Sequence, residues 1–302
     1  MTRDFYKKLS EILQSEKRLV LMVVIANEGS SPGRKGFKML VTKNQMHGTI
    51  GGGIMEHKLV EFAESLLDKP SFEPFIKHQI HDKSAPKDQS GMICSGQQTI
   101  AFYDINLDFL FLANQILTEK DFKIIYSNNG INLPSENTEW SFTEINSLPQ
   151  KVYIIGGGHV GLALSETLSK LDFEIHIVDH RANLNTMEQN HFVHSSQVVE
   201  FEQIDDYIPE GDDIYVVIMS FGYRTDDIII RKLIDKHFKY IGLLGSKDKI
   251  ATLFSKMVDD GFSKDNIAKV YAPIGIDIKS ETTQEIAISV AAQLIRVKNQ
   301  NR

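Results

Sequence analysis

Apolar positions along the chain alternate between helical spacing and unbroken runs, and that alternation outlines the elements. Phe5, Leu9, Ile12 and Leu13 recur three to four residues apart, which predicts an amphipathic helix over about the first sixteen residues. Leu19 to Ala26 (LVLMVVIA) is uninterrupted and predicts a buried strand. Phe37 to Thr42 and Gln45 to Ile50 read as two strands joined at Lys43-Asn44. Leu59, Val60, Ala63, Leu66 and Leu67 then mark a helix. Phe72 to His81 and Gln98 to Tyr103 read as strands, Leu107 to Leu117 as a helix, and Phe122 to Tyr126 as a strand before the turn residues Asn128-Asn129-Gly130.

The polar segment Asn146 to Lys151 reads as a linker, and beyond it the pattern becomes strictly alternating α/β. Val152 to Ile155 and Glu174 to Val178 are short apolar runs separated by a helix carrying Leu162, Leu164, Leu168 and Leu171. Ile214 to Met219 is the next strand. A helix capped by Thr225 or Asp226 is expected to run through Phe238, followed by a strand from Tyr240 to Leu244. A helix opening at Gly245-Ser246 stops at Gly261, a glycine C-terminal cap. Tyr271 to Ile278 reads as a strand and loop. Thr282 and Glu285 have capping-box spacing before a last helix with Ile286, Val290 and Leu294 on one face. The expected architecture is α/β throughout, with an α/β domain over 1–148 and a Rossmann-like, doubly wound parallel sheet over 149–302.

Chemistry enters at the turn between the first two strands of the second domain. Gly156, Gly158 and Gly161 give G-x-G-x-x-G between a strand and a helix. The first glycine suits the tight turn, the second a close approach of backbone to a pyrophosphate, and the third close packing of helix on sheet. Asp179 ends the second strand, where an acid can hydrogen-bond a ribose 2′-hydroxyl; Arg181 nearby leaves a 2′-phosphate open. The loop from Ser220 to Asp227 lies past the carboxyl end of a strand and should border the nucleotide. In the first domain, Gly51, Gly52 and Gly53 lead into a helix. Their amides could meet an anion, or the glycines could only make room for neighbouring backbone. Glu56 falls in that helix's first turn, the place of a helix-dipole partner. Cys94 lies between glycines in a loop, as inert filling or as a thiolate that meets a ligand.

The composition excludes several function classes. A formal net charge of −7 argues against nucleic acid or an anionic membrane as the main partner. No apolar run reaches the roughly 20 residues of a membrane span, and the first residues lack a signal-peptide core, so a cytoplasmic location is expected. One cysteine in 302 residues leaves no internal disulfide framework or multi-cysteine metal site. His191 and His194 have no acid or cysteine at ligand spacing and read as solvated.

Gly48 to Glu56 (GTIGGGIME), Gly91 to Gly96 (GMICSG), Val152 to Arg181, Tyr240 to Ser246 (YIGLLGS), Ala272 to Ile278 (APIGIDI) and Glu281 to Ala287 (ETTQEIA) together resemble the XdhC/CoxI family of xanthine dehydrogenase accessory factors, in the family's order. The resemblance covers about residues 10–105 and 150–295. It implies a protein that binds molybdenum cofactor, a molybdopterin-type ligand, protects it during sulfuration and helps insert it into a molybdenum hydroxylase client such as xanthine dehydrogenase. A sulfurtransferase partner and a homodimer are compatible with that role. Three motifs depart from the family pattern. Ile54 stands where many relatives have cysteine, Ser95 where they have glycine, and Ser220 to Tyr223 where many have a pair of histidines.

On this resemblance, Gly51, Gly52, Gly53, Glu56, Gly156, Gly158, Gly161, Asp179 and Ser220 are the cofactor-binding candidates. Cys94 is the candidate molybdenum or sulfur contact and the one catalytic candidate. The altered Ser220 to Tyr223 loop makes direct catalysis or metal binding there doubtful. Two alternatives use the same glycines. An NAD(P)-dependent oxidoreductase would need a proton donor such as Tyr223 or His159, neither with an orienting partner in the sequence. A nucleotide-sensing regulatory protein would carry a degenerate site.

Overall fold

The structure is a computed structural model describing residues 2–80, 96–119, 121–133 and 137–300, and the chain divides into two compact units, Met1–Leu148 and Pro149–Arg302. In the first unit the order is α1 (Thr2–Glu16), β1 (Arg18–Gly29), β2 (Lys38–Val41), β3 (Met46–Gly48), α2 (Gly53–Leu66), β4 (Phe75–Ile80), β5 (Gly96–Asn106), α3 (Phe109–Thr118), β6 (Phe122–Ser127), β7 (Gly130–Ile131) and β8 (Ser141–Asn146). An antiparallel sheet runs β3-β2-β1-β5-β4, and a small one runs β7-β6-β8.

The uninterrupted apolar run of β1 is explained by cover on both faces. Leu19, Leu21 and Val23 face a core shared with α1, α3 and the small sheet. Val20, Met22 and Val24 point the other way, toward Leu59, Val60 and Ala63 of α2. A charge enters the interior of this unit: Lys38 of β2 is 8% exposed and pairs with Glu144 of β8 at 2.6 Å.

The second unit contains β9 (Gln150–Ile155), α4 (His159–Ser169), β10 (Phe173–Asp179), α5 (Asn185–Glu188), β11 (Ser195–Val198), a 3-10 turn (Phe201–Gln203), α6 (Ile204–Tyr207), β12 (Gly211–Ile218), α7 (Tyr223–Leu233), β13 (Phe238–Leu243), α8 (Lys247–Asp259), α9 (Lys264–Ala268) and α10 (Thr283–Lys298). Its five strands are parallel, in the order β11-β10-β9-β12-β13. The chain moves outward from β9 to β11, then returns to the other side of β9, so the order reverses between β9 and β12. Leu164 and Leu168 of α4 pack with Val290 and Leu294 of α10 on one face. Ile229 and Leu233 of α7 pack with Ile250 and Leu253 of α8 on the other. This is the doubly wound arrangement that the alternating pattern predicts.

The structure departs from the sequence reading in the fourth βα unit. The helix expected to reach Phe238 under a Thr225 or Asp226 cap starts at Tyr223, with Gly222 as its N-cap, and ends at Leu233. Phe238 opens the next strand. Tyr271 to Ile278 makes a single bridge, Gly242 to Tyr271, rather than a strand. The Thr282–Glu285 capping box forms as expected. His191 and His194 are exposed, but His194 Nδ1 also accepts the Ile175 amide at 3.0 Å. No described helix is long and apolar enough to cross a membrane.

Candidate functional site

The three fingerprint glycines separate by what a side chain would meet. Gly156, at the end of β9, has φ +130°, and a Cβ there would stand 2.2 Å from the Met219 carbonyl oxygen. A Cβ on Gly161 would stand 2.2 Å from the Gly156 carbonyl oxygen, the close helix–strand approach expected of the third glycine. Gly158 has neither restriction. Its φ of −75° suits any residue, and among the described residues nothing lies within 4 Å of where its Cβ would be. It is the N-cap of α4, gives no side-chain cap, and is followed by no acid in the first turn. Among the described residues, the helix's first amides and its positive end therefore get neither a capping side chain nor a first-turn acid.

The rest of the turn is braced from β10. Asp179 is 1% exposed, and its carboxylate accepts four N–H groups of its own chain. Oδ2 takes Gly157 N at 2.7 Å and Arg181 Nη2 at 2.8 Å; Oδ1 takes Arg181 N and Nε, each at 2.9 Å. Burial pushes the Asp179 pKa up, but the Arg181 and Gly157 donors outweigh it and hold the carboxyl below its ordinary range. A ribose at Asp179 would have to displace Arg181. The geometry thus gives Asp179 a bracing role that the fingerprint alone does not reveal. α5 adds to the brace, since the Thr186 hydroxyl donates to the Gly157 carbonyl and Met187 packs where a Gly157 Cβ would be.

Ser220 follows β12 on the other side of the reversal. Its amide nitrogen is 3.1 Å from the position a Gly156 Cβ would take, so the loop abuts the glycine turn. Ser220 Oγ lies 2.7 Å from Thr225 Oγ1 and 2.5 Å from Asp226 Oδ1. Burial pushes Asp226 up to about 6, against the opposing pull of the Ser220 bonds and Lys249. Ser220 and Asp226 line a cavity of about 140 Å³ with Gly222, Tyr223, Gly245 and Lys249. Next to Ser220, Phe221 is 79% exposed, and the Arg181 guanidinium lies 5.4 Å from its ring centroid. Because β10 and β12 flank β9, that contact crosses beyond the carboxyl end of β9. Sequence reasoning missed Asp226 as a site residue; its signal was an acid one turn beyond a strand-end glycine.

The glycine turn of the first unit is filled from within. Glu56 Oε2 accepts the Thr49 hydroxyl at 2.6 Å, the Ile50 amide at 2.8 Å and the Gly52 amide at 3.0 Å. Of the glycine amides that the sequence offered to a ligand phosphate, Glu56 takes that of Gly52, and the Thr49 hydroxyl oxygen accepts that of Gly51 at 3.1 Å. Gly51 is a packing glycine, its Cβ position 2.7 Å from Gly33 N, whereas Gly52 and Gly53 both have φ +75°. Buried Gln98 holds this turn against its neighbour, accepting from the Ser31 hydroxyl and Gly33 amide and donating to the Ile50 carbonyl. Ile54 is 69% exposed. Cys94 lies outside the described residues. Among the described residues no three His, Cys, Asp or Glu side chains gather to hold a metal ion.

A parallel sheet with a glycine turn at its reversal point defines the second unit as a Rossmann-type domain. The chain belongs to the XdhC and CoxI family. Residues 12–74 match the XdhC and CoxI family model, and residues 152–294 match that of the XdhC Rossmann domain. It is 25% identical over 300 residues to the protein YqeB of Escherichia coli (strain K12), covering 98% of this chain but 46% of that one, so it spans about half of that relative's length. A Bacillus subtilis (strain 168) protein named as a probable xanthine dehydrogenase subunit is 22% identical over 98% of both sequences. A crystal structure described as a xanthine dehydrogenase from Bacillus halodurans shares the fold with a TM-score of 0.78, at 23% identity over 98% of this chain and 96% of that one.

Proposed function

We propose that this chain is an accessory protein for xanthine dehydrogenase-type molybdenum hydroxylases, which holds molybdenum cofactor by its phosphate and assists its sulfuration and insertion. The accessory role follows the family, and two of the similar proteins carry xanthine dehydrogenase in their names. The observation that carries cofactor binding is Gly158. It is a glycine that neither backbone conformation nor packing among the described residues requires, at the start of a helix with no side-chain cap. A phosphate group fits that need, because backbone N–H groups and the helix dipole both favour an anion there. In this reading Gly158 and the first amides of α4 bind the phosphate, and the Ser220 hydroxyl borders it. The cofactor, when bound, supplies the oxo and sulfido chemistry of the client; the chain's own residues bind, orient and hand over.

The Asp179 brace favours molybdopterin without an attached nucleotide over a dinucleotide, since no carboxylate oxygen is left facing a ribose without first displacing Arg181. Cys94 remains the proposed molybdenum or sulfur contact in this scheme. The deciding experiment is to purify the protein, release bound ligand by denaturation, and identify it by mass spectrometry with molybdenum analysis. Molybdopterin with molybdenum supports the reading. A nicotinamide dinucleotide in its place would overturn it in favour of an oxidoreductase.

A further inference from the structure

Ser220, Thr225, Asp226 and the Gly222 carbonyl form a chain of three contacts, and counting their protons shows that one is missing. Asp226 Oδ1 to Ser220 Oγ is 2.5 Å, Ser220 Oγ to Thr225 Oγ1 is 2.7 Å, and Thr225 Oγ1 to the Gly222 carbonyl is 2.9 Å. Each contact needs one hydrogen between its two oxygens. The serine and threonine hydroxyls supply two. The third is present only if Asp226 is the neutral acid, donating to Ser220, which donates to Thr225, which donates to Gly222. If Asp226 is ionised, Ser220 must turn its proton to the carboxylate, and one contact is left as two oxygens with no hydrogen between them.

We infer that Asp226 is a positioning residue that takes up a proton when an anionic ligand binds at the glycine turn. The link to the ligand rests on the function proposed above; the protonation of Asp226 itself does not. Two features couple them. The neutral chain pins the Ser220–Gly222 loop, whose Ser220 amide abuts Gly156, to the start of α7. It also removes a negative charge from beside the ligand, leaving Lys249 as the charge acting on the cavity from α8. The segment packed against α7 carries the acids Glu202, Asp205 and Asp206, none of which lines the cavity; Tyr223 does, and the remaining wall of Leu243, Leu244, Ile250 and Leu253 is apolar. By linkage, an anion that prefers the neutral acid must raise its proton affinity, and protonation must tighten the anion to the same degree.

The test has two arms. Carboxyl carbon NMR of aspartate-labelled protein, assigned with Asp226→Asn, follows the acid directly. Asp226 should titrate well above the other aspartates in the wild type. In Thr225→Val, which removes two of the three contacts and one hydroxyl proton, the Ser220 hydroxyl alone supplies the contact that remains, and the titration should fall toward the ordinary range. In the second arm, sulfate serves as an anion that keeps its charge between pH 5 and 8. Its affinity for the wild type should drop several-fold to tenfold from pH 5.5 to 7.5, while Asp226→Asn, whose amide reproduces the neutral acid, should bind with little pH dependence. An Asp226 that titrates with the other aspartates, or the same pH slope in Asp226→Asn, would overturn the inference. Sulfate binding to neither protein would overturn the coupling along with the glycine-turn reading, whereas the NMR arm judges the proton count alone.

Discussion

The three fingerprint glycines invite one experiment in which stability and binding should separate. In Gly156→Ala the new methyl meets the Met219 carbonyl oxygen at 2.2 Å on a backbone held at φ +130°. Overpacking costs about 1–3 kcal/mol and a strained conformation about as much again, so a loss of at least ~3 kcal/mol is expected. Gly161→Ala gains about 1 kcal/mol of helix propensity but drives its methyl to 2.2 Å from the Gly156 carbonyl, for a net loss of roughly 1–2 kcal/mol. Gly158→Ala meets no described atom and keeps φ at −75°. The reduced entropy of the unfolded chain contributes about 0.4–1 kcal/mol. Alanine is a poorer N-cap than glycine by a similar amount. The two offset to within about 0.5 kcal/mol, a shift of roughly 1–2 °C in Tm for a domain of this size. Calorimetry of unfolding should therefore rank the three as Gly156 worst, Gly161 intermediate and Gly158 unchanged. Binding of molybdopterin, measured on the same preparations, should reverse the ranking for Gly158: Gly158→Val, a larger intrusion at the same position, should lose binding at least tenfold with its fold intact. A Gly158→Val protein that is folded and binds as the wild type does would show that the ligand does not use this turn.

Other outcomes follow from the charges around the two turns. The Asp226 pKa is raised from 3.8 to about 6 in the fold, so the native state holds its proton longer than the unfolded chain. Stability should therefore fall as pH rises from about 4 to about 6 and level off above; Asp226→Asn should remove that slope and gain about 1–2 kcal/mol at pH 7 once partial exposure is discounted, as thermal melts across pH can test. Asp179 is shifted the opposite way, so its contribution is present above pH 3.8 and is lost as pH falls below that value. Arg181→Ala, which strips the two guanidinium donors from this buried carboxylate, should cost about 2 kcal/mol in denaturant titrations; since the Arg181 amide survives the substitution, a change within error would mean that this amide and Gly157 suffice. Glu56→Ala should release the Thr49, Ile50 and Gly52 donors, costing about 1–2 kcal/mol and creating a sulfate site measurable by calorimetry that the wild type lacks.

The parts of this fold legible in the sequence are those where one physical signal dominates. β1 and β9 are buried on both faces, so their apolar runs are unbroken, and the Thr282–Glu285 box has fixed spacing. β11 was not legible. Ser195–Val198 lies at the sheet edge with a mostly exposed side-chain pattern, and no apolar run marks it. The end of α7 shows a different limit. Ile230, Ile234 and Phe238 keep a four-residue spacing across the true helix end, because Phe238 enters the same core from the next strand. Periodicity cannot tell those two cases apart. Site residues fared likewise: a motif reports which backbone approaches a ligand, but not which side chain already holds that backbone. Glu56, Asp179 and Gln98 each act through contacts that span two to 67 residues of sequence, and Asp226 through a proton count that needs distances.

The two glycine turns share a sequence logic yet differ in what answers their amides, and that difference bears on where function lies. Past Gly52 the helix supplies an acid in its first turn, and Glu56 folds back onto the turn as its anion. Past Gly158 the first turn reads His159-Val160-Gly161-Leu162, with no acid able to do the same. The carboxylate of Asp179 is turned to Gly157 and paired with Arg181. An external anion at the first turn must displace a carboxylate held by three hydrogen bonds at 2.6–3.0 Å; at the second, among the described residues, it meets no capping side chain. Exchange of one anion for another gains little, whereas a helix end with no acid of its own gains the whole interaction. Under the proposed function a single phosphate group, such as molybdopterin carries, needs only the second turn, which would make the Rossmann unit the holder of the ligand and leave the first unit's turn as self-supporting structure.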